Sequence, residues 1–258
     1  MRLWSLALLA GCGSRFLDTA QLDTVPATPP ITAGAAATGT GGTTDNVCGQ
    51  QGYSHLHQYS GGDLWIQLTI ATADQTCVDY TAATFHMFVR LDKFNSEVEC
   101  VYTGRMTPVY DAKPDAEDMN TEHSWPQSEG ASVLPAKCDL HHLYPTDSEA
   151  NATRGNTPFG DVVGQVDWTE GDSVLGDDIL GNTVFEPRDV HKGNVARSML
   201  YFSARYTNPL TDTQITLFKQ WSAADPVDDV ELARTLKIAE EQVLANPLVV
   251  CPALVDAL

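Results

Sequence analysis

Two short stretches of this chain hold side chains whose types and spacing suit the hydrolysis of a phosphodiester. The first runs Asn120-Thr121-Glu122-His123-Ser124-Trp125-Pro126-Gln127-Ser128. The second is Asp139-Leu140-His141-His142-Leu143-Tyr144-Pro145, followed by Asn151, Arg154, Asn156 and Pro158-Phe159-Gly160. That reaction needs a deprotonated water, neutralised charge on the phosphorane and help for the leaving oxygen. A neutral imidazole such as His123 serves the first need, because its pKa lies near working pH. A divalent metal serves the other two. Glu122 and Asn151 are oxygen ligands of the kind that Mg2+ accepts, and Mg2+ needs few of them because it keeps waters. Arg154 carries a fork of donors that suits a phosphate.

These groups converge only if the backbone positions them. Neighbouring strand residues point to opposite faces, so Glu122 and His123 share a site only where a strand ends or bends. Pro126 makes such an ending plausible. Tyr144-Pro145 ends a second strand, and Thr146 or Asp147 caps a helix. Asn151 and Arg154 stand three apart on that helix and share a face. The order is strand, loop, strand, helix.

Elsewhere Tyr80 to Leu91 reads as a helix with Phe85, Phe88 and Val89 on one side. Val98 to Tyr102, Val162 to Trp168 and Thr183 to Phe185 read as strands, the last two separated by Gly-rich and Asp-rich turns. Asp189 caps a helix reaching about Tyr206 and ended by Asn208-Pro209. Asp212 caps another. Asp228 or Asp229 starts the last long one, which stops before Asn246-Pro247. The chain is therefore mixed α and β, and helix-heavy towards its C-terminus.

The 258 residues are 43% hydrophobic and carry a formal charge of -19. An acidic protein repels polyanions, which argues against a nucleic acid partner unless the local field differs from the average. No Lys or Arg occurs from Phe16 to Val89, whereas Arg188, Lys192, Arg197 and Arg205 cluster. A basic strip built from Arg188, Lys192 and Arg197 is the expected substrate-binding surface. Met1-Arg2, the apolar stretch Leu3 to Ala10 and the small residues after it describe an export signal over residues 1–11. Leu9-Ala10-Gly11-Cys12 resembles a bacterial lipobox, which makes Cys12 the expected lipid attachment point and a membrane the expected anchor. Residues 12–46 are rich in Ala, Thr, Gly and Pro and read as a flexible tether ahead of a folded domain at 47–258. Cys48, Cys77, Cys100, Cys138 and Cys251 allow at most two disulfides in an exported protein and leave one thiol over, with the pairing open.

Taken together, the two active stretches resemble the endonuclease I family of secreted bacterial nucleases. The resemblance rests on the Asn-Thr-Glu-His start, the Asp-Leu-His-His-Leu-Tyr-Pro core and the Asn-x-x-Arg-x-Asn helix. Val101-Tyr102-Thr103-Gly104-Arg105, Phe185-Glu186-Pro187-Arg188-Asp189, Lys192-Gly193 and Ala196-Arg197 extend it, over about Tyr80 to Cys251. It implies an α+β fold in which a ββα-metal (His-Me) finger is embedded in a helix-rich domain. It also implies His123 as general base, Glu122 and Asn151 as metal ligands and Arg154 as a phosphate contact. The implied metal is Mg2+, replaceable by Mn2+ or Ca2+, and the implied substrate is DNA, or RNA as well, cut with little sequence preference. A monomer is expected. Lys137 departs from the pattern, since some relatives carry a carboxylate there that is proposed to protonate the leaving group. Gln242-Val243-Leu244-Ala245-Asn246-Pro247 departs too, lacking an Arg that relatives often have.

Other readings stand beside this one. Asp139 and His142 are expected to support the site from behind. His55-Leu56-His57 puts two imidazoles on one strand face, but no third zinc ligand is near in sequence, so ordinary polar histidines are the better reading. Asp225, Asp228, Asp229, Glu231, Glu240 and Glu241 read as a solvated face. The rival to an enzyme is a nuclease-derived surface lipoprotein that binds nucleic acid or another partner without cutting it.

Overall fold

The computed structural model describes residues 41–77 and 79–258, with side chains from residue 46. The expected signal, Cys12 and most of the expected tether lie outside the described residues. Helix α1 (Gly41–Gln50) begins ahead of the expected boundary at residue 47. Its last turns are held in place, because Cys48 is bonded to Cys251 and Val47 packs on the core. His55 and His57 lie in a 3-10 turn at Ser54–Gln58, not on a strand face as expected. Helix α2 (Gly61–Ala71) follows, and α3 (Tyr80–His86) runs on as a π-turn through Leu91. The continuous apolar pattern to Leu91 survives this change of hydrogen bonding, since Met87, Phe88 and Leu91 are all buried.

Three small antiparallel sheets follow. The first is β1 (Lys93–Phe94), β2 (Glu97–Glu99) and β3 (Met106–Pro108). The expected strand at Val98–Tyr102 is shorter than its β-prone composition suggested, because Cys100–Gly104 folds into a turn closed by Gly104 N donating to Cys100 O. The second sheet pairs β4 (Met119–His123) with β5 (Leu143–Asp147), from Met119 opposite Asp147 to His123 opposite Leu143. Helix α4 (Ser148–Arg154) starts directly after β5. The third sheet is β6 (Val166–Glu170), β7 (Ser173–Asp177) and β8 (Thr183–Glu186). Strand β7 falls in the stretch read as turn. Gly171 and Asp172 both have positive φ, the two-residue geometry that suits a tight hairpin, and Glu170 pairs with Ser173 across it.

The C-terminal half is helical, with α5 (Asp189–Tyr206), α6 (Asp212–Ala224), α7 (Asp229–Gln242), α8 (Pro247–Val250) and α9 (Ala253–Ala257). Thr211 rather than Asp212 caps α6, in a reciprocal box with Gln214. Asp228 caps α7 through Glu231 N, one of the two expected starts. Helix α5 is the central core element. Val195, Leu200 and Phe202 on it are fully buried, and Gly193 lets the end of α6 approach so closely that a side chain there would meet Asp225 O. Phe202 stacks on Trp125 at 4.9 Å and meets His142 edge-on at 4.7 Å. Apolar burial on α5 thus sets the floor beneath the β4–β5 hairpin.

Candidate active site

Strand β4 stops at His123, and the chain bends at Ser124-Trp125 ahead of Pro126. Glu122 and His123 still face opposite ways, and both nevertheless reach one cleft because the strand ends there. This open cleft of about 450 Å3 is lined by Glu122, His123, Gln127, Asn151, Arg154 and Asn156 among others. The expected strand–loop–strand–helix order is what brings them together.

His123 is almost buried. Its Nε2 donates to Lys137 O at 3.1 Å, which fixes the proton on Nε2 and leaves Nδ1 as the basic nitrogen. Burial, and then the neighbouring His142, push its pKa down to about 3, well below the near-working-pH value expected from its residue type, so the imidazole is neutral at physiological pH but intrinsically a weak base. His142 stands edge-on to it at 5.4 Å and bonds Ala136 O through Nε2 at 2.6 Å. His142 therefore packs against the His123 ring.

Glu122 is buried on the other face of β4. Tyr102 donates its hydroxyl to Glu122 Oε1 at 2.9 Å, and Arg154 Nη1 lies 3.3 Å from the same oxygen. Burial raises the pKa of this carboxyl, and the arginine and the tyrosine oppose the rise. Among the described residues Oε2 has no hydrogen-bond partner. Asn151 Nδ2 donates to Asn120 Oδ1 at 2.6 Å and to Thr121 O at 3.3 Å, which turns the amide oxygen away from those contacts. One carboxylate oxygen and one amide oxygen are thus left to the cleft. That hard-oxygen pair fits a cation of the Mg2+ type, with water and substrate completing its shell.

A model of the family described as endonuclease I matches residues 66–253. The chain belongs to the endonuclease I family. Among curated relatives, the extracellular ribonuclease of Bacillus amyloliquefaciens is 31% identical over 159 residues, covering 54% of this chain and 53% of that one. The extracellular deoxyribonuclease of Aeromonas hydrophila is 32% identical over 111 residues, 43% of this chain and 48% of that one. The periplasmic deoxyribonuclease of the same organism is 31% identical, over 43% and 46%. The chain spans about half the length of the curated relatives it matches. The α+β architecture expected for an endonuclease I family member is the one observed, with α4 closing the β4–β5 hairpin as the ββα unit requires.

Several expected site residues of this endonuclease I chain are placed otherwise. Arg154 is 1% exposed and its guanidinium is turned inward. It donates to Ser124 O at 2.8 Å and His123 O at 3.3 Å, pairs with Glu122, and lies over the Phe159 ring at 4.4 Å. Its donors are thus directed at Glu122 and at the main chain of His123 and Ser124.

The cations of the expected basic strip are paired with carboxylates. Arg188 pairs with Glu99 at 2.6 Å, and Lys192 pairs with Glu186 at 2.6 Å and Asp189 at 2.7 Å. Arg197 is 1% exposed and makes a two-pronged pair with Glu231. Glu231 and Asp225 accordingly leave the expected solvated acidic face, since Asp225 accepts from Gly193 N and from Arg197 through its carbonyl. Arg205 is turned inward and donates to Gln75 O.

Asp139 is fully buried. It accepts from Tyr201 and Tyr206 hydroxyls, both at 2.8 Å, and from His141 N. It is a folding acceptor under the loop that carries His142, not on the strand opposite His123 as expected. His141 bonds Leu244 O and takes no part in the cleft.

Among the described residues two disulfides, Cys48–Cys251 and Cys77–Cys138, leave buried Cys100 as the free thiol. His57 Nε2 sits 3.5 Å from Cys48 Sγ, and these two with Cys251 are the metal-ligand cluster found among the described residues. Both sulfurs are spent in the disulfide, so no zinc is held there. Sequence reasoning missed Tyr102, the partner of Glu122. Tyr102 lay in a matching family segment, and that was its only signal.

Proposed function

We propose that this chain is an exported, Mg2+-dependent endonuclease that hydrolyses phosphodiester bonds of DNA or RNA with little regard to sequence. The observation that carries the reading is the meeting, in one cleft, of a histidine with a fixed tautomer and two unbonded oxygens, from Glu122 and Asn151. A divalent cation between those oxygens would supply neutralisation of charge on the phosphate and an electrophilic phosphorus. His123 Nδ1 takes a proton from the attacking water as its oxygen bonds to phosphorus. The phosphorus–oxygen bond on the far side breaks, and the leaving oxygen takes a proton from solvent. Lys137 O holds the imidazole in the basic tautomer throughout. Tyr102 and Arg154 hold Glu122 Oε1, so that Oε2 faces the cleft.

Export is favoured by the basic–apolar start and by relatives named as extracellular or periplasmic nucleases. The Leu9–Cys12 pattern adds a lipid on Cys12 to the reading, which mass spectrometry of the mature N-terminus tests. The rival, a binder that does not cut, makes a different prediction in one assay. Purified protein is given plasmid DNA and RNA with Mg2+ or with EDTA, beside the His123→Ala variant. Cleavage only with metal and only by the wild type supports the proposal. A wild type that binds but never cuts, or a variant that cuts equally well, overturns it.

A further inference from the structure

The family site accounts for the chemistry at one phosphate, but a strongly acidic protein must also hold the rest of a polyanion. The cations at the start of α5 are already matched by carboxylates. One cation beside the base is not matched. Lys137 is half-buried, and among the described residues its ammonium makes no carboxylate pair. Its Nζ lies 5.0 Å from the centre of the Tyr80 ring. The Tyr80 ring in turn lies against His123, with centroids 5.6 Å apart and planes inclined by 30°. Imidazole, aromatic ring and ammonium therefore follow one another, beside the cleft that His123 lines.

This row is built, not incidental. Lys137 O is the acceptor that fixes His123. The Cys77–Cys138 disulfide joins the residue beside Lys137 to a residue three before Tyr80. Asp79 caps α3 through Thr81 N and Ala82 N, which fixes Tyr80 at the first helical position. A lysine over an aromatic face gains a cation–π contact that limits where its charge can stray. An unpaired ammonium near the attacked phosphate would attract the next phosphate of the same strand.

We propose that Lys137, held over Tyr80, is a binding residue for a phosphate flanking the one attacked. The inference rests on the nuclease reading for its biological meaning, but its test does not need turnover. A fluorescent oligonucleotide is titrated with full-length protein in EDTA, and anisotropy is read over a range of salt. Lys137→Met weakens binding several-fold at low salt. It also reduces the slope of log affinity against log salt by about 0.7 to 0.9, the value of one phosphate contact. Lys137→Arg restores both. Tyr80→Phe keeps wild-type affinity, whereas Tyr80→Leu loses part of it, and circular dichroism verifies that each variant is folded. Unchanged affinity and slope in Lys137→Met overturn the inference, as does a wild type that binds no oligonucleotide. A wild type that binds through Lys137 but cuts nothing sinks the proposed activity and spares this site.

Discussion

The cleft at the end of β4 and the start of α5 both carry dense charge, yet they end in opposite states. In the cleft, Glu122 keeps one oxygen unbonded, Asn151 directs its donors at the protein, and His123 is pinned by a carbonyl. At α5, Arg188, Lys192 and Arg197 are each matched by a carboxylate, and Arg197 is sealed inside with Glu231. The first region spends its bonds on orientation and leaves reactive atoms over. The second spends its charges on cohesion. Cationic sequence is therefore not cationic surface, and in a protein of formal charge -19 the carboxylates claim most of the arginines.

Substitutions can break this contrast, beginning with the largest effect. His123→Ala should lower cleavage by about a hundredfold to ten-thousandfold, the usual worth of a positioned base, with no loss of fold by circular dichroism. Arg197→Met leaves Glu231 buried without its partner, so urea unfolding should show a loss of about 3–5 kcal/mol. The folded fraction should still bind substrate with unchanged KM, and a raised KM would return Arg197 to the substrate surface. Arg154→Met should cost both stability and turnover, because it frees Glu122 as well as the main chain at His123 and Ser124. Turnover retained in that variant would remove its positioning role. Arg188→Ala opens a pair whose Glu99 is half-exposed, so stability should move by less than about 1 kcal/mol.

Acid should separate the two regions less sharply. Burial lowers His142 to about 4, and burial with nearby arginines lowers His191 to about 3. The unfolded chain protonates both imidazoles near 6.5, while the native state refuses the protons. Stability from these groups is therefore complete above about pH 6.5 and falls as pH drops towards 4 and then 3. The raised carboxyls of Glu122 and Glu231 act with the opposite sign, as pH passes down through their folded values. Melting temperatures taken from pH 7 down to pH 4 should decline, and His191→Phe should flatten the curve. An unflattened curve would show that His191 is not what acid attacks.

Much of the site was legible because it is local. Glu122, His123 and Asn151 lie on one hairpin and the helix that follows, so strand alternation, a proline stop and helical spacing suffice to bring them to one place. The long helices were legible from their caps and apolar faces, although the cap itself shifted from Asp212 to Thr211. The short strand β7 was not, because its residues carry turn chemistry until a partner strand pairs with them. Arg154 suited a phosphate contact on its residue type alone, because nothing in a helical face tells which side will be covered. The partner that covers it includes Phe159, beyond the helix.

The order of residues by itself determined the catalytic candidates, the starts of helices α3, α5, α6 and α7 to within a turn, and the number of bridges that five cysteines permit. Tertiary structure decided which charges meet. Arg188 finds Glu99 at a separation of 89 residues, Arg197 finds Glu231 at 34, and Cys48 finds Cys251 at 203. It also decided that Tyr102 serves Glu122 and that Tyr80 stands between a lysine and the base. The physical reason is that periodicity and capping act within a turn or two of the chain, whereas pairing and burial depend on distance in space.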